Sequence, residues 1–121
     1  MAMISPDILV DTIDMDAENL EIAKINSSKF NIQNQINILN GKFLDILPTL
    51  NNHYDLVFFD GYALGLTVYL ELERLLKSNG VMITANLTLG GDYKKVLARF
   101  NDKQFFSSFF YFEDTAFGVK V

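Results

Sequence analysis

The chain has 121 residues, 15 acidic against 10 basic, and a formal net charge of −5 with its one histidine neutral. That length supports one domain with a core able to fold alone, and a chain half hydrophobic and 21% charged is neither disordered nor of low complexity. The acidic balance disfavours a nucleic-acid backbone as electrostatic partner, and no run of 18 apolar residues calls for a membrane partner. With no cysteine, disulfides, thiolate metal sites and cysteine nucleophiles are excluded; a cytoplasmic address is the default.

Short apolar runs alternate with longer amphipathic segments. Ile8 to Ile13 reads as a strand ending at Asp14. Asp16 is placed to cap a helix from Ala17 to about Asn31, with Glu18 and Glu21 near its positive end and Leu20, Ala23 and, less regularly, Ile22 and Ile25 on its apolar face. Ile36 to Leu39 forms a second strand, closed by Asn40-Gly41. Phe43 to Leu47 is a loop or single helical turn stopped by Pro48.

Tyr54 to Phe59 is apolar on both faces after Asp55, the pattern of a strand covered by helices on both sides, and it ends at Asp60-Gly61. Leu66 to Leu76 predicts a helix that Gly80 stops, and Val81 to Thr84 a fourth strand. Asp92 is expected to cap a short helix carrying Val96, Leu97 and Phe100. Two β-rich runs, Phe105–Phe112 and Thr115–Val121, meet at Glu113-Asp114 as an antiparallel hairpin. The order predicts an α/β domain with a mixed sheet.

Two strand-end carboxylates carry the chemistry. Asp14 ends a strand that leads into a capped helix, where a carboxylate can accept both hydroxyls of a ribose while Met15 packs on the base. The competing reading is a solvated turn residue or helix cap. Asp60 ends a buried-type strand and could orient a substrate, hold a metal or act as a base, although Asp-Gly is also a strong turn pair. There is no G-x-G-x-x-G and no P-loop, and His53 reads as a surface histidine.

The sequence resembles the class I S-adenosylmethionine (SAM)-dependent methyltransferases, within them the small bacterial and catechol-type O-methyltransferases. The carriers are Val10-Asp11-Thr12-Ile13-Asp14 with Ala17-Glu18-Asn19 and Ile22-Ala23-Lys24; Ile38-Leu39-Asn40-Gly41; Tyr54 through Asp60; Leu75-Leu76-Lys77 with Gly80-Val81; and Ile83-Thr84-Ala85-Asn86. The resemblance implies a Rossmann-like, mostly parallel sheet with a C-terminal antiparallel hairpin. It also implies SAM as cofactor, bound by Asp14, Met15, Gly41, Lys42, Phe43, Asp60 and Tyr62, with Asp60 as the catalytic residue beside the methyl acceptor. The acceptor would be a hydroxyl of a small phenol or catechol, or of a hydroxylated tRNA base.

The departures are equally specific. The family's first strand and glycine-rich loop would precede Met1, and Met1-Ala2-Met3-Ile4 resembles the tail of its first helix, so 1–121 reads as a truncated methyltransferase-like domain. Of the family's three metal ligands only Asp60 and Asn86 remain, because Ala85 stands where an aspartate belongs, which makes a poor magnesium site. The lysine expected soon after Asp60 is absent, since no Lys or Arg falls between Asp60 and Arg74. Without the first strand, the inner edges of the Asp14 and Asp60 strands must close on each other or be paired by another chain, pointing to a homo-oligomer, in one version strand-swapped. The alternative function is a non-catalytic module acting by self-association or partner binding.

Overall fold

A computed structural model describes residues 5–121, so the reading of Met1 to Ile4 lies outside the described residues. The chain divides into two compact units, residues 1–49 and 50–121. Among the described residues the strands form two sheets, one of two strands and one of four.

In the first unit, β1 (Val10–Asp14) pairs in parallel with β2 (Ile36–Asn40), so that Asp14 lies opposite Asn40. The crossover is α1 (Ala17–Lys29), opened by Asp16, whose carboxylate accepts from the backbone N–H of Glu18 at 2.9 Å and of Asn19 at 3.5 Å. Capping satisfies N–H groups that an α-helix leaves without partners. The apolar face expected of α1 is only partly used: Leu20 and Ser27 are buried, whereas Ile22 and Ile25 stay largely exposed. After Gly41 the chain makes a four-residue helix, α2 (Phe43–Ile46), and a 3-10 turn over Leu47–Thr49 that contains Pro48. The proline thus continues the turn rather than ending it, because its fixed φ and missing N–H are tolerated within a first helical turn.

The second unit has strand order β3-β4-β6-β5. β3 (Tyr54–Phe59) runs parallel to β4 (Leu76–Thr84), and β6 (Thr115–Lys120) pairs antiparallel with both β4 and β5 (Phe106–Phe112). The helix α3 (Leu66–Leu75) ends at Leu75, and β4 begins with the next residue. Gly80 therefore does not stop the helix; it lies inside a bulged stretch of β4, between the Tyr54–Leu76 and Leu56–Val81 pairs. Asn79, at φ 62°, makes the tight bend there. Lys120 Nζ caps the end of α3 instead, donating to the carbonyls of Glu73 at 2.7 Å and Leu76 at 2.8 Å.

Asp92 precedes α4 (Tyr93–Asn101) but does not cap it with its side chain. Its Oδ2 accepts from Leu66 N at 3.2 Å, so it caps α3, while Oδ1 takes Lys95 Nζ at 3.0 Å. One face of the four-stranded sheet is buried, with Val57, Phe59, Met82 and Ala116 on it. Tyr69 of α3, Phe100 of α4 and Phe106 of β5 form its aromatic centre, with ring centroids 5.4 and 4.8 Å apart. Gly118 belongs to this face because a Cβ there would come within 2.7 Å of the rings of Phe100 and Phe106. Nearby, Arg99 binds Glu73 with both ends of its fork, at 2.9 and 2.7 Å, and lies over the Phe105 ring. Burial, and next the negative charge of Glu73, pushes the Tyr69 phenol above its usual range.

Candidate functional site

Each unit gathers its own set of the expected residues at strand ends. In the first unit, Asp14 is the last residue of β1, and Gly41 N donates to its carbonyl at 3.0 Å, which fixes the start of the Gly41-Lys42-Phe43 segment beside it. The Asp14 carboxylate is oriented rather than loose. Oδ1 accepts from Asp16 N at 2.8 Å and Oδ2 from Asn19 Nδ2 at 3.2 Å. A carboxylate has about four acceptor sites, so one on each oxygen is left for a pair of vicinal hydroxyls. Met15 is 68% exposed and Lys42 is exposed, while Gly41 and Phe43 are half-buried. This strand end therefore offers an oriented carboxylate acceptor, an exposed thioether and the backbone of a glycine side by side in sequence or structure.

In the second unit, Asp60 follows β3 directly, and Ala85-Asn86 follows β4. Ala85 N donates to Phe59 O at 2.9 Å, which sets the two strand ends level. Asn86 Nδ2 then reaches Asp60 Oδ1 at 3.0 Å. Asn86 holds a left-handed backbone, φ 56° and ψ 33°, a conformation in which asparagine is several-fold enriched. Tyr62 sits near Asp60 in sequence, but its side chain is 83% exposed.

Two residues to which the sequence reading gave no role at the site hold these sets in place. Asn19, one turn into α1, supplies the second hydrogen bond to Asp14; its spacing of five from Asp14 was the available signal. Asp114, read only as a hairpin turn, ties that turn to the segment after Asn86. Its carbonyl accepts from Leu87 N at 3.2 Å and its Oδ1 from Thr88 N at 2.7 Å. That contact spans 26 residues, and no local pattern announces it.

The donor set for a divalent cation is one carboxylate and one amide, already joined to each other. Magnesium binds oxygen ligands in near-octahedral geometry with carboxylates leading, so these two residues do not fit it well. Among the described residues, no group of three His, Asp or Glu side chains could hold a metal ion, and no helix is long and apolar enough to cross a membrane.

The order of elements, the parallel ladders with a C-terminal hairpin and the strand-end carboxylates define a Rossmann-like methyltransferase fold. Comparison with known proteins agrees. A catechol O-methyltransferase from Mycobacterium tuberculosis is 28% identical over 82 residues, covering 66% of this chain and 37% of that protein. The O-methyltransferase hkm8 of Aspergillus hancockii is 31% identical over 75 residues, covering 60% of this chain and 30% of that protein. Among solved structures, the O-methyltransferase TomG from Streptomyces achromogenes, in complex with SAM, superposes with a TM-score of 0.74 at 18% identity, over 97% of this chain and 64% of that one. No family model matches the sequence. By sequence and fold the chain is similar to O-methyltransferases of the catechol type, and it spans about a third of the length of these two curated relatives.

Proposed function

We propose that the chain binds SAM and takes part in methyl transfer to an oxygen nucleophile, the hydroxyl of a small phenol or catechol. The observation that carries this reading is the Asp14 carboxylate, pinned through both oxygens at the end of β1 with acceptor capacity to spare. In this reading Asp14 takes the ribose hydroxyls, Met15 lies against adenine, and Gly41, Lys42 and Phe43 supply the adenine edge. SAM, when bound, supplies an electrophilic methyl group on a sulfonium.

What the chain adds to that chemistry is alignment and charge. Catalysis of such a displacement comes mainly from holding nucleophile, methyl carbon and leaving sulfur in line. Asp60 is the residue we assign to the acceptor side, with Asn86 holding its carboxylate and Tyr62 beside it in sequence. As a carboxylate it can orient the acceptor's hydroxyl and accept its proton as the oxygen attacks. The net charge of −5 argues for a small acceptor over a tRNA base.

A second reading, a non-catalytic module that associates with other chains, is favoured by Ala85 at a family ligand position and by the exposed aromatics of β5. Calorimetric titration with SAM separates the two. Binding in the micromolar range that is lost in Asp14→Ala supports the enzyme reading, and no heat at millimolar ligand supports the module.

A further inference from the structure

The tips of β3 and β4 are where the family resemblance implies a divalent cation, and the side chains there disagree with one. Phe59 pairs with Thr84 in the parallel ladder, and Ala85 N donates to Phe59 O at 2.9 Å, so the register runs one step further. Ala85 therefore stands opposite Asp60, at the strand spacing of about 4.8 Å, and residues so paired point to one side of a sheet. Across the ladder from the Asp60 carboxylate there is only a methyl group, at the position from which a second carboxylate would share a cation with it.

Neither neighbour makes good the missing oxygen. Asn86 directs its amide N–H at Asp60 Oδ1, 3.0 Å away, so its amide oxygen is turned from that carboxylate. To ligate an ion beside Asp60, the amide would have to turn over and give up this bond. Asp114, on the hairpin tied to this segment, already commits Oδ1 to Thr88 N at 2.7 Å. Magnesium takes about six oxygen ligands in strict geometry, and one carboxylate supplies few of them. Asp60 is exposed, so alone it holds such an ion no better than any other surface aspartate of this acidic chain.

We infer that this strand-end site works without a divalent cation, and that Ala85 is the residue that decides it. The inference deepens the methyl-transfer reading, on which its consequence for the acceptor rests. A vicinal diol has the advantage over a single hydroxyl where both of its oxygens chelate one ion. With no ion held, Asp60 takes the acceptor through one hydroxyl, and a catechol is taken no more readily than a simple phenol. Aiming the carboxylate, which a bound cation would otherwise do, falls to the Asn86 amide. The site is then one of hydrogen bonds, selective for a hydroxyl and not for a chelating pair.

Manganese(II) is the probe, because it suits the same oxygen ligands as magnesium and its free ion gives an electron paramagnetic resonance signal. The parent chain, Asp60→Asn, Ala85→Asp and Ala85→Asp/Asp60→Asn are each titrated with it, with far-UV circular dichroism as the check on folding. The parent is expected to deplete the free-ion signal no more than Asp60→Asn does. Ala85→Asp is expected to gain one site, at least about tenfold tighter than any in the parent, which the double variant loses. Ala85→Glu, with the same charge on a longer arm, serves if Ala85→Asp does not fold. A saturable site in the parent that Asp60→Asn abolishes would overturn the inference. So would a folded Ala85→Asp that binds no better than the parent, or a catechol whose saturation-transfer NMR signal on the parent appears only with magnesium. The manganese titration contains neither SAM nor acceptor, so failure of the methyl-transfer reading would leave its result unchanged.

Discussion

Asn86 and Asp60, 26 positions apart in sequence, are joined by a hydrogen bond of 3.0 Å between the amide and the carboxylate at the ends of two parallel strands. Asn86 makes this bond from a left-handed backbone conformation. Two substitutions separate the contributions. Asn86→Gly removes the hydrogen bond but keeps the backbone free to turn, at a cost of about 1 kcal/mol. Asn86→Ala removes the bond and keeps a Cβ at positive φ without the short polar side chain that lets asparagine adopt it, a further 1 kcal/mol or so. Urea denaturation of both variants is expected to rank them in that order.

Asp14 is the residue on which cofactor binding is expected to turn. Asp14→Asn keeps the shape but replaces one acceptor oxygen by a donor, opposing one ribose hydroxyl and one of the two local donors. The expected loss is about 1.5–3 kcal/mol of SAM affinity, or roughly ten- to a hundredfold in Kd by calorimetry, against a stability change near 1 kcal/mol. A loss of affinity no larger than the loss of stability would mean that Asp14 serves only the turn.

The strand ends were legible because the chain marks them locally. Ile13-Asp14 and Phe59-Asp60 each set a carboxylate after an apolar run, and Asp16 three residues before Asn19 reads as a cap. Elements held by distant residues were not. Gly80 looked like a helix stop because the lysine that caps α3, Lys120, lies 44 residues beyond Leu76. Asp92 looked like the cap of its own helix because nothing local shows that Leu66 N is the nearer need. Ile22 and Ile25 looked like a buried face because periodicity shows which residues share a side, not what covers it.

Glu73 and Arg99 join α3 to α4 through a two-pronged pair, with the Glu73 side chain 10% exposed and Arg99 31% exposed. Arg99→Met leaves a nearly buried carboxylate without its cation, and the expected cost is about 2–4 kcal/mol, less than for a fully buried pair because Arg99 is partly solvated. The double variant Arg99→Met/Glu73→Leu removes the orphaned charge and is expected to recover most of that loss. Urea midpoints at unchanged m-value check both.

Gly118 sets the distance between β6 and the rings of Phe100 and Phe106. A methyl group there would lie 2.7 Å from a ring carbon of each, and neither ring has free space because both are fully buried. Gly118→Ala is expected to destabilise by about 1–3 kcal/mol through overpacking, despite alanine's more favourable strand entropy. A thermal midpoint at or above that of the parent would show that the rings move aside.

Asp92 makes the acid limb of the stability profile testable. The hydrogen bond from Lys95 first, and that from Leu66 N second, hold its carboxyl below the usual carboxylate range. A carboxyl whose pKa is lower folded than unfolded binds more protons in the unfolded chain. Its contribution is therefore complete above the unfolded value and disappears as pH falls through the folded one. Asp92→Asn is expected to be less stable than the parent at neutral pH, with the difference narrowing steadily through the acid range. Because the Asp92–Lys95 pair is exposed, added salt should narrow the neutral-pH difference too, while the backbone bond to α3 preserves part of it. Stability differences that do not change with pH would show that Asp92 acts through shape alone.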